Sequence, residues 1–284
     1  MSQPQYILRL VINKSIVPRQ RRRRGRRGYG LVLIVRLLVY MMLARVLTDK
    51  GLSRHLRKHP RIAKGLGFKT IPHRTTIGRW RKRYGNVLKQ VFEEIADLIS
   101  KIVPTEIEIV DSTPLEDADD PDAEVGFTSM GAFRGFKVHL GVNQIGAALR
   151  AKITKGNEHD SPHFPDLIVE SKYILGDKGY DAKSNRDAAR AIGAVPVIAI
   201  NPRNTKHKKP RKCKHERLLK KKRYIVEQFN ALLKEVLSNC WKRFKGLEAK
   251  CSLLYSALIA ININVLWSLL IGAENLREVS RFWY

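Results

Sequence analysis

A change of rhythm near residue 104 constrains the fold of this 284-residue chain more than any other feature. Before it, apolar residues recur at helical spacing. After it, short runs alternate polar and apolar or are wholly apolar, the patterns of half-buried and buried strands. EIEIVD (106–111) alternates, and FRGFKVHLGV (133–142) and LRAKIT (149–154) read as two more strands around a turn at 143–146. Asp160 can cap a helix reaching about residue 171. YILG (173–176) is a short buried strand, 182–192 is helical, and VPVIAI (195–200) is a further buried strand. Three strands followed by helix, strand, helix and strand predict an α/β layer, a mixed sheet flanked by helices.

The part before residue 104 is organised differently. Residues 1–30 carry nine basic side chains and no acid, which predicts a self-repelling flexible arm, either merely solvated or contacting DNA. Residues 31–100 read as a helical DNA-binding domain: one apolar helix over 31–46, short helices at 53–58 and 61–66, and a longer one from Thr75 or Thr76 to Ile99. Arg79, Arg81, Lys82 and Arg83 fall in the first turns of that last helix. Short helices, a turn and a basic helix suggest a helix-turn-helix-like reader of DNA. The catalytic domain is expected over 104–272, with a basic loop at 201–223 and a tail at 273–284. Residues 251–273 are long and apolar enough to span a bilayer, but Asn262 and Asn264 at their centre favour a buried core helix and no membrane.

Charge narrows the partners. There are 54 Lys plus Arg against 26 Asp plus Glu, a net of +28, which argues for a polyanion and above all nucleic acid. The surplus is uneven. Residues 1–100 hold 24 basic and 4 acidic side chains, 101–200 hold 11 and 16, and 201–284 hold 19 and 6. An acidic centre between basic flanks suits an enzyme that holds divalent metal at its middle and phosphate at its edges. Only Cys213, Cys240 and Cys251 occur, so a disulfide framework is not expected and a reducing, cytoplasmic setting fits. Cys213 and His215 match no standard zinc-finger spacing. The acids over 116–124 lack an EF-hand pattern and read as a solvated loop.

Three carboxylates stand out by position. Asp111 closes the first strand, Asp177 follows the buried strand YILG, and Glu227 sits on the helix after the basic loop. Strand-end carboxylates project where α/β proteins place ligands. At about 100° per residue, Arg223, Asn230 and Lys234 lie within about 60° of Glu227, while Ile225, Phe229, Leu232 and Val236 fall on the opposite side. Such a helix buries one face and presents a carboxylate flanked by cations. Surface pairing between residues four apart would give the same pattern. Asp160, in GNEHDS, can cap a helix.

The order DST, FRGFKVHLGV, GNEHDS, LGDKGYD and Arg-x3-Glu-x6-Lys resembles the insertion-sequence DDE transposases, and most of all the group containing insertion sequences four and five. Arg223, Glu227 and Lys234 fit that group's Tyr-x2-Arg-x3-Glu-x6-Lys signature. Lys220 stands where its Tyr is expected. The separations of 66 and 50 residues between the three acids also resemble members without a large insertion before the glutamate. The resemblance covers roughly residues 105–260. It implies a ribonuclease H-like fold, double-stranded DNA (element ends and target) as partner, and no small-molecule substrate. It further implies two Mg²⁺ ions, with Mn²⁺ able to substitute, Asp111 bridging both ions while Asp177 and Glu227 hold one each. Water would free a 3′-hydroxyl at the element end, and that hydroxyl would attack target DNA. Arg223, Lys234, Lys220, Lys221 and Lys222 would hold phosphates, and His159 and Asp160 would lie near the site and support it. Synapsis of two ends implies a homodimer, and a nucleoid-associated location follows. A nuclease that cuts without joining, or an inactive DNA-binding relic, would share most of these features.

Overall fold

The computed structural model describes residues 3–19, 28–128, 131–202, 216–238 and 240–273. The chain divides into two compact units. One comprises the described residues of Ala96–Lys234; the other combines those of Met1–Ile95 and Glu235–Tyr284.

The Ala96–Lys234 unit is built on a six-stranded sheet. β1 (Ile107–Glu116) pairs antiparallel with β3 (Gly131–Asn143) and parallel with β5 (Tyr173–Gly176). β5 pairs parallel with β6 (Val195–Ile198). β2 (Glu124–Thr128) takes the first part of β3 and β4 (Ala148–Lys155) the second. So an antiparallel meander is followed by two parallel strands, with β1 central. The mixed sheet flanked by helices is the ribonuclease H-like architecture expected. Val110 and Ile174 are fully apolar and pack with Phe164, Leu167, Tyr180, Ala189, Ala194 and Ile198 into one buried cluster. That cluster ties the sheet to α7 (Lys183–Ala191) and to the turn Ser161–Asp166. Truncating a buried aromatic such as Phe164 to alanine costs about 3–5 kcal/mol, so the cluster fixes the strand ends that carry the acids.

Several local expectations need correction. β1 does not stop at Asp111 but continues five residues, because Ser112 to Glu116 keep their ladder with β3. The helix expected from Asp160 is a six-residue 3₁₀ segment, with Pro165 inside it removing a backbone donor. The acidic loop is partly turned inward: Asp117 and Asp120 are buried, and the Asp122 N–H donates to Asp120 Oδ1 (3.0 Å). Of the basic loop 201–223, residues 216–222 form the helix α8 (Glu216–Lys222), and 203–215, with His207, Cys213 and His215, lie outside the described residues.

Among its described residues the second unit contains helices and no strand. α1 (Gln3–Val11) buries Ile7, Leu8 and Val11 and packs on α2 (Leu31–Leu43), α4 (Pro60–Leu66) and α10 (Leu247–Leu270). The expectation of a flexible arm over 1–30 is therefore corrected for residues 3–19: their apolar residues repeat at helical spacing and have a core to enter. Residues 20–27, the arginine block, lie outside the described residues. α3 (Asp49–Lys58) packs on α4 and on α5 (Arg74–Arg83). The single helix expected from Thr75 to Ile99 is instead two, α5 and α6 (Gly85–Ile102), with Tyr84 as the break. A β-carbon on Gly85 would sit 3.3 Å from Cys251 Sγ, so glycine lets the new helix start against α10. α10 passes the length and hydropathy test for a membrane span, yet 83% of that window is buried, chiefly against α2 and α5. It is a core helix. Its membership of the helical unit also corrects the expected boundary, which placed residues up to 272 with the sheet. The reason is packing, since an almost wholly buried helix belongs with the helices that cover it.

Candidate active site

Val110 pairs with Gly176 at the last rung of the parallel β1–β5 ladder, so Asp111 and Asp177 leave neighbouring strands side by side. The motif around Asp177 is a holding device. Asp177 Oδ1 accepts from the Gly179 N–H (2.8 Å), capping the short turn Lys178–Tyr180. A β-carbon on Gly179 would stand 3.0 Å from that same oxygen, so glycine gives the close approach room. Tyr180 then turns into the core beside Phe164, with ring centroids 5.5 Å apart. Asp181 binds Arg186 (2.7 Å) and the Asn201 N–H (2.7 Å), fixing the strand–turn–helix passage.

Asp111 sits in a crowd of carboxylates. Burial pushes its carboxyl up to about 6; the Ser112 N–H opposes this, Asp177 adds to it, Arg223 opposes and Asp160 adds. Burial likewise drives the Tyr180 hydroxyl well above its ordinary value, and Asp160, Asp111 and Asp177 push the same way. Asp160 belongs to this field. Its side chain does not cap the following turn. It faces Lys137 Nζ (3.2 Å) and His139 Nδ1 (3.7 Å). Lys137 also donates to the Glu158 carbonyl (2.8 Å). His139 is 0% exposed, with Nε2 2.8 Å from Thr154 Oγ1. Burial lowers its pKa to about 4, Asp160 opposing and His163, Lys137 and Lys152 adding, so it is neutral at pH 7. His159 is exposed.

α9 (Tyr224–Ser238) supplies the rest. Its buried face is Ile225, Val226, Phe229, Leu233 and Leu237, turned from the expected stripe, with Leu232 and Val236 only half-buried. That rotation brings Asn230 to the edge of the buried face, 9% exposed, where its Nδ2 donates to Asp111 Oδ2 (3.1 Å). Glu227, one turn earlier, is 58% exposed and accepts from Arg223 Nε (3.0 Å). So the structure brings Asp111, Asp177 and Asp160 together and sets α9 beside them. Among the described residues no three carboxylates, Asp160 included, stand close enough to form a metal centre, and Glu227 is turned to Arg223. Lys220, Lys221 and Lys234 are exposed and Lys222 is half-buried.

One expected DNA contact is corrected. Arg81 is 1% exposed, donates to Asp49 Oδ1 (2.7 Å) and stacks over Phe244 at 4.0 Å. Its neighbours Arg79, Lys82 and Arg83 are exposed. Helical phase explains the difference, since Arg81 lies on the same side as Ile77 and Trp80, which face the core.

The transposase DDE domain family matches residues 101–245, and a second transposase domain family (DUF772) matches residues 5–83. The chain belongs to the DDE transposases. The transposase for insertion sequence element IS1106 of Neisseria meningitidis serogroup B is 29% identical to this transposase over 97 residues. That match spans 33% of this chain and about a third (34%) of the length of that relative. Among solved structures, a piggyBac transposase synaptic complex with hairpin DNA aligns at TM-score 0.51 and 9% identity, covering 100% of this transposase and 79% of that chain; this likeness concerns the fold. The catalytic core domain of BIV integrase aligns at TM-score 0.35 and 14% identity, over 55% of this transposase and 83% of that chain.

Sequence reasoning missed Lys137 and His139 as neighbours of Asp160. A signal existed: Lys137 and His139 stand two apart among the apolar residues 136–142 of β3, which a buried strand face does not carry without partners. Asn230 was on the expected Glu227 face, but its contact with Asp111 was not legible.

Proposed function

We propose that this chain cleaves DNA phosphodiesters at the ends of an insertion sequence and joins the freed 3′-hydroxyls to target DNA. The observation that carries this reading is the meeting of Asp111 and Asp177 at the end of the β1–β5 ladder, with α9 tied to Asp111 through Asn230. Asp111, Asp177 and Glu227 are the catalytic carboxylates. Arg223, Glu227 and Lys234 support placing the chain in the group of insertion sequences four and five.

The donor set fits divalent metal. A buried carboxylate pushed up to about 6 beside two other carboxylates is a site whose charge a cation would relieve. All-oxygen donors suit Mg²⁺ or Mn²⁺. Asp111 and Asp177 would hold the ions, joined by Glu227 once it exchanges Arg223 for metal. Two such ions would stabilise the charge on the attacking and leaving oxygens of an in-line displacement. Asp111 is presented in one orientation by Asn230, and Asp177 by the Gly179 N–H. Freed from Glu227, Arg223 can grip a phosphate, as can Lys234 and Lys220 to Lys222. Water adds to phosphorus and the 3′ oxygen departs with a proton. That hydroxyl then adds to a target phosphorus and displaces its 3′ oxygen, so one bond forms for each bond broken. His159 and Asp160 stand outside this ligand set; Asp160 pairs with Lys137 (3.2 Å), and its carboxylate adds to the push on Asp111. Terminal repeats are read by the helical unit, Arg79, Lys82 and Arg83 contributing, and a homodimer in the cytoplasm, on the nucleoid, brings two ends together.

The test uses the purified chain with labelled DNA carrying its own gene's flanking sequences, in Mg²⁺ or Mn²⁺, beside Asp177→Ala. Nicking at the boundary and joined products, absent from the variant, support the proposal. Nicking without joined product favours a nuclease. Metal-independent binding, identical in both proteins and without cleavage, favours a DNA-binding relic.

A further inference from the structure

Asp49 is the only carboxylate in the first 92 residues. The structure spends it on the core: it pairs with the buried Arg81. No acid within that stretch remains to neutralise the cations of α3. At about 100° per residue, Lys50, Arg54 and Arg57 fall within about 60° of one another, on one side of the helix. All three are exposed. Ser53, on the buried edge of that side, donates to the Pro72 carbonyl (3.2 Å) and so fixes α3 against the segment entering α5. The result is a cleft of about 230 Å³ lined by Lys50, Ser53, Arg54, Arg57, His73 and Arg74, with no carboxylate in its wall.

Several arginines elsewhere are paired. Arg81, Arg150, Arg186, Arg190 and Arg223 each hold a carboxylate within 3.0 Å. Among the described residues, Lys50, Arg54, Arg57 and Arg74 hold none. Four unpaired cations lining one cleft repel each other, and an external polyanion relieves that cost. Beyond the cleft α5 carries three further exposed cations, Arg79, Lys82 and Arg83, so positive charge is strung along roughly 14 Å of that helix from Arg74 to Arg83 at 1.5 Å per residue. A strip suits a polymer of phosphates better than a single small anion. In paired-helix DNA readers one helix lies in the major groove while its partner crosses the backbone.

We propose that the α3–α5 cleft is a phosphate clamp for duplex DNA, in which Lys50, Arg54, Arg57 and Arg74 grip the sugar–phosphate backbone while α5 faces the groove. Arginine's fork can take two oxygens of one phosphate. The clamp rests on the reading of this chain as a DNA-transacting enzyme and assigns to α3 the non-specific share of its binding.

The test is the salt dependence of binding by the full chain, in metal-free buffer so that no cleavage intervenes. Fluorescence anisotropy on a labelled duplex is read from low to moderate salt for the wild type and for Lys50→Gln/Arg54→Gln/Arg57→Gln. A control neutralises three exposed lysines of the other unit, Lys101, Lys172 and Lys183. Circular dichroism melting confirms that each variant is folded. Each lost phosphate contact lowers the slope of log K against log salt by about 0.9, so the clamp variant should lose about 2.7 and the control less than 1. Equal slope changes in both variants, or no change in the clamp variant, overturn the clamp while leaving DNA binding itself intact. A wild type that binds no duplex overturns the clamp and the functional reading together, and the two failures are thereby told apart.

Discussion

Asp111→Asn should make the metal-free protein more stable while abolishing its activity. The Asp111 carboxyl is pushed from 3.8 up to about 6, first by burial and then by Asp177 and Asp160. A shift of about two units corresponds to roughly 3 kcal/mol, at about 1.36 kcal/mol per unit. The sign follows from linkage: an acid whose pKa is raised on folding binds its proton more tightly in the native state. Its ionisation therefore costs nothing below pH 3.8, and the cost grows until pH passes about 6. Asparagine keeps an oxygen to accept from Asn230 and carries no charge. Because Asp111 retains some exposure, we expect a gain of about 2 kcal/mol at pH 8, or a Tm rise of about 4–8 °C, falling toward zero at pH 4. Differential scanning fluorimetry in chelator, across pH 4 to 8, measures it. Adding Mg²⁺ should raise the wild-type Tm and narrow the gap. A variant that melts below the wild type at pH 8, or a gap independent of pH, refutes the reasoning.

Asn230→Ala should lower kcat by about 10- to 100-fold with little change in KM, since Asn230 orients Asp111 rather than touching DNA; cleavage kinetics on pre-nicked and intact ends measure it. Arg81→Ala should destabilise the helical unit by about 3 kcal/mol by stranding Asp49, whereas Arg79→Ala should leave the melting temperature unchanged and weaken DNA binding. Glu108 is fully buried, its carboxyl pushed up to about 8 by burial, so stability should fall as pH rises from 4.5 through 8, and Glu108→Gln should flatten that fall in alkaline melts.

The fold was legible where period and chemistry agreed. The alternation in EIEIVD and the apolar runs at 173–176 and 195–200 marked β1, β5 and β6, and the placement of Asp111 and Asp177 after apolar residues marked two neighbouring strand positions of the candidate site. What was not legible was non-local. β2 was hidden among acids that look solvated, because Asp117 and Asp120 are satisfied by turns that only the fold makes. α10 looked like part of the catalytic region by position, and its true neighbours, α2 and α5, lie more than 150 residues earlier. The split at Tyr84 depends on Gly85 meeting α10. Within the site, the separation of Arg81 from Arg79, Lys82 and Arg83 turned on helical phase against a core that the local sequence does not describe. The link between Asn230 and Asp111, 119 residues apart, turned on the rotation of α9.

The most direct test of the central claim concerns Glu227, which the structure holds on Arg223 and the proposed chemistry requires at the metal. Mg²⁺-dependent cleavage of end-containing DNA should be measured for Glu227→Gln, which keeps a side chain of the same length and can still accept from Arg223. A loss of at least 10³-fold, with duplex binding in chelator unchanged, is the expected result. Cleavage within a few-fold of the wild type would contradict the three-carboxylate site.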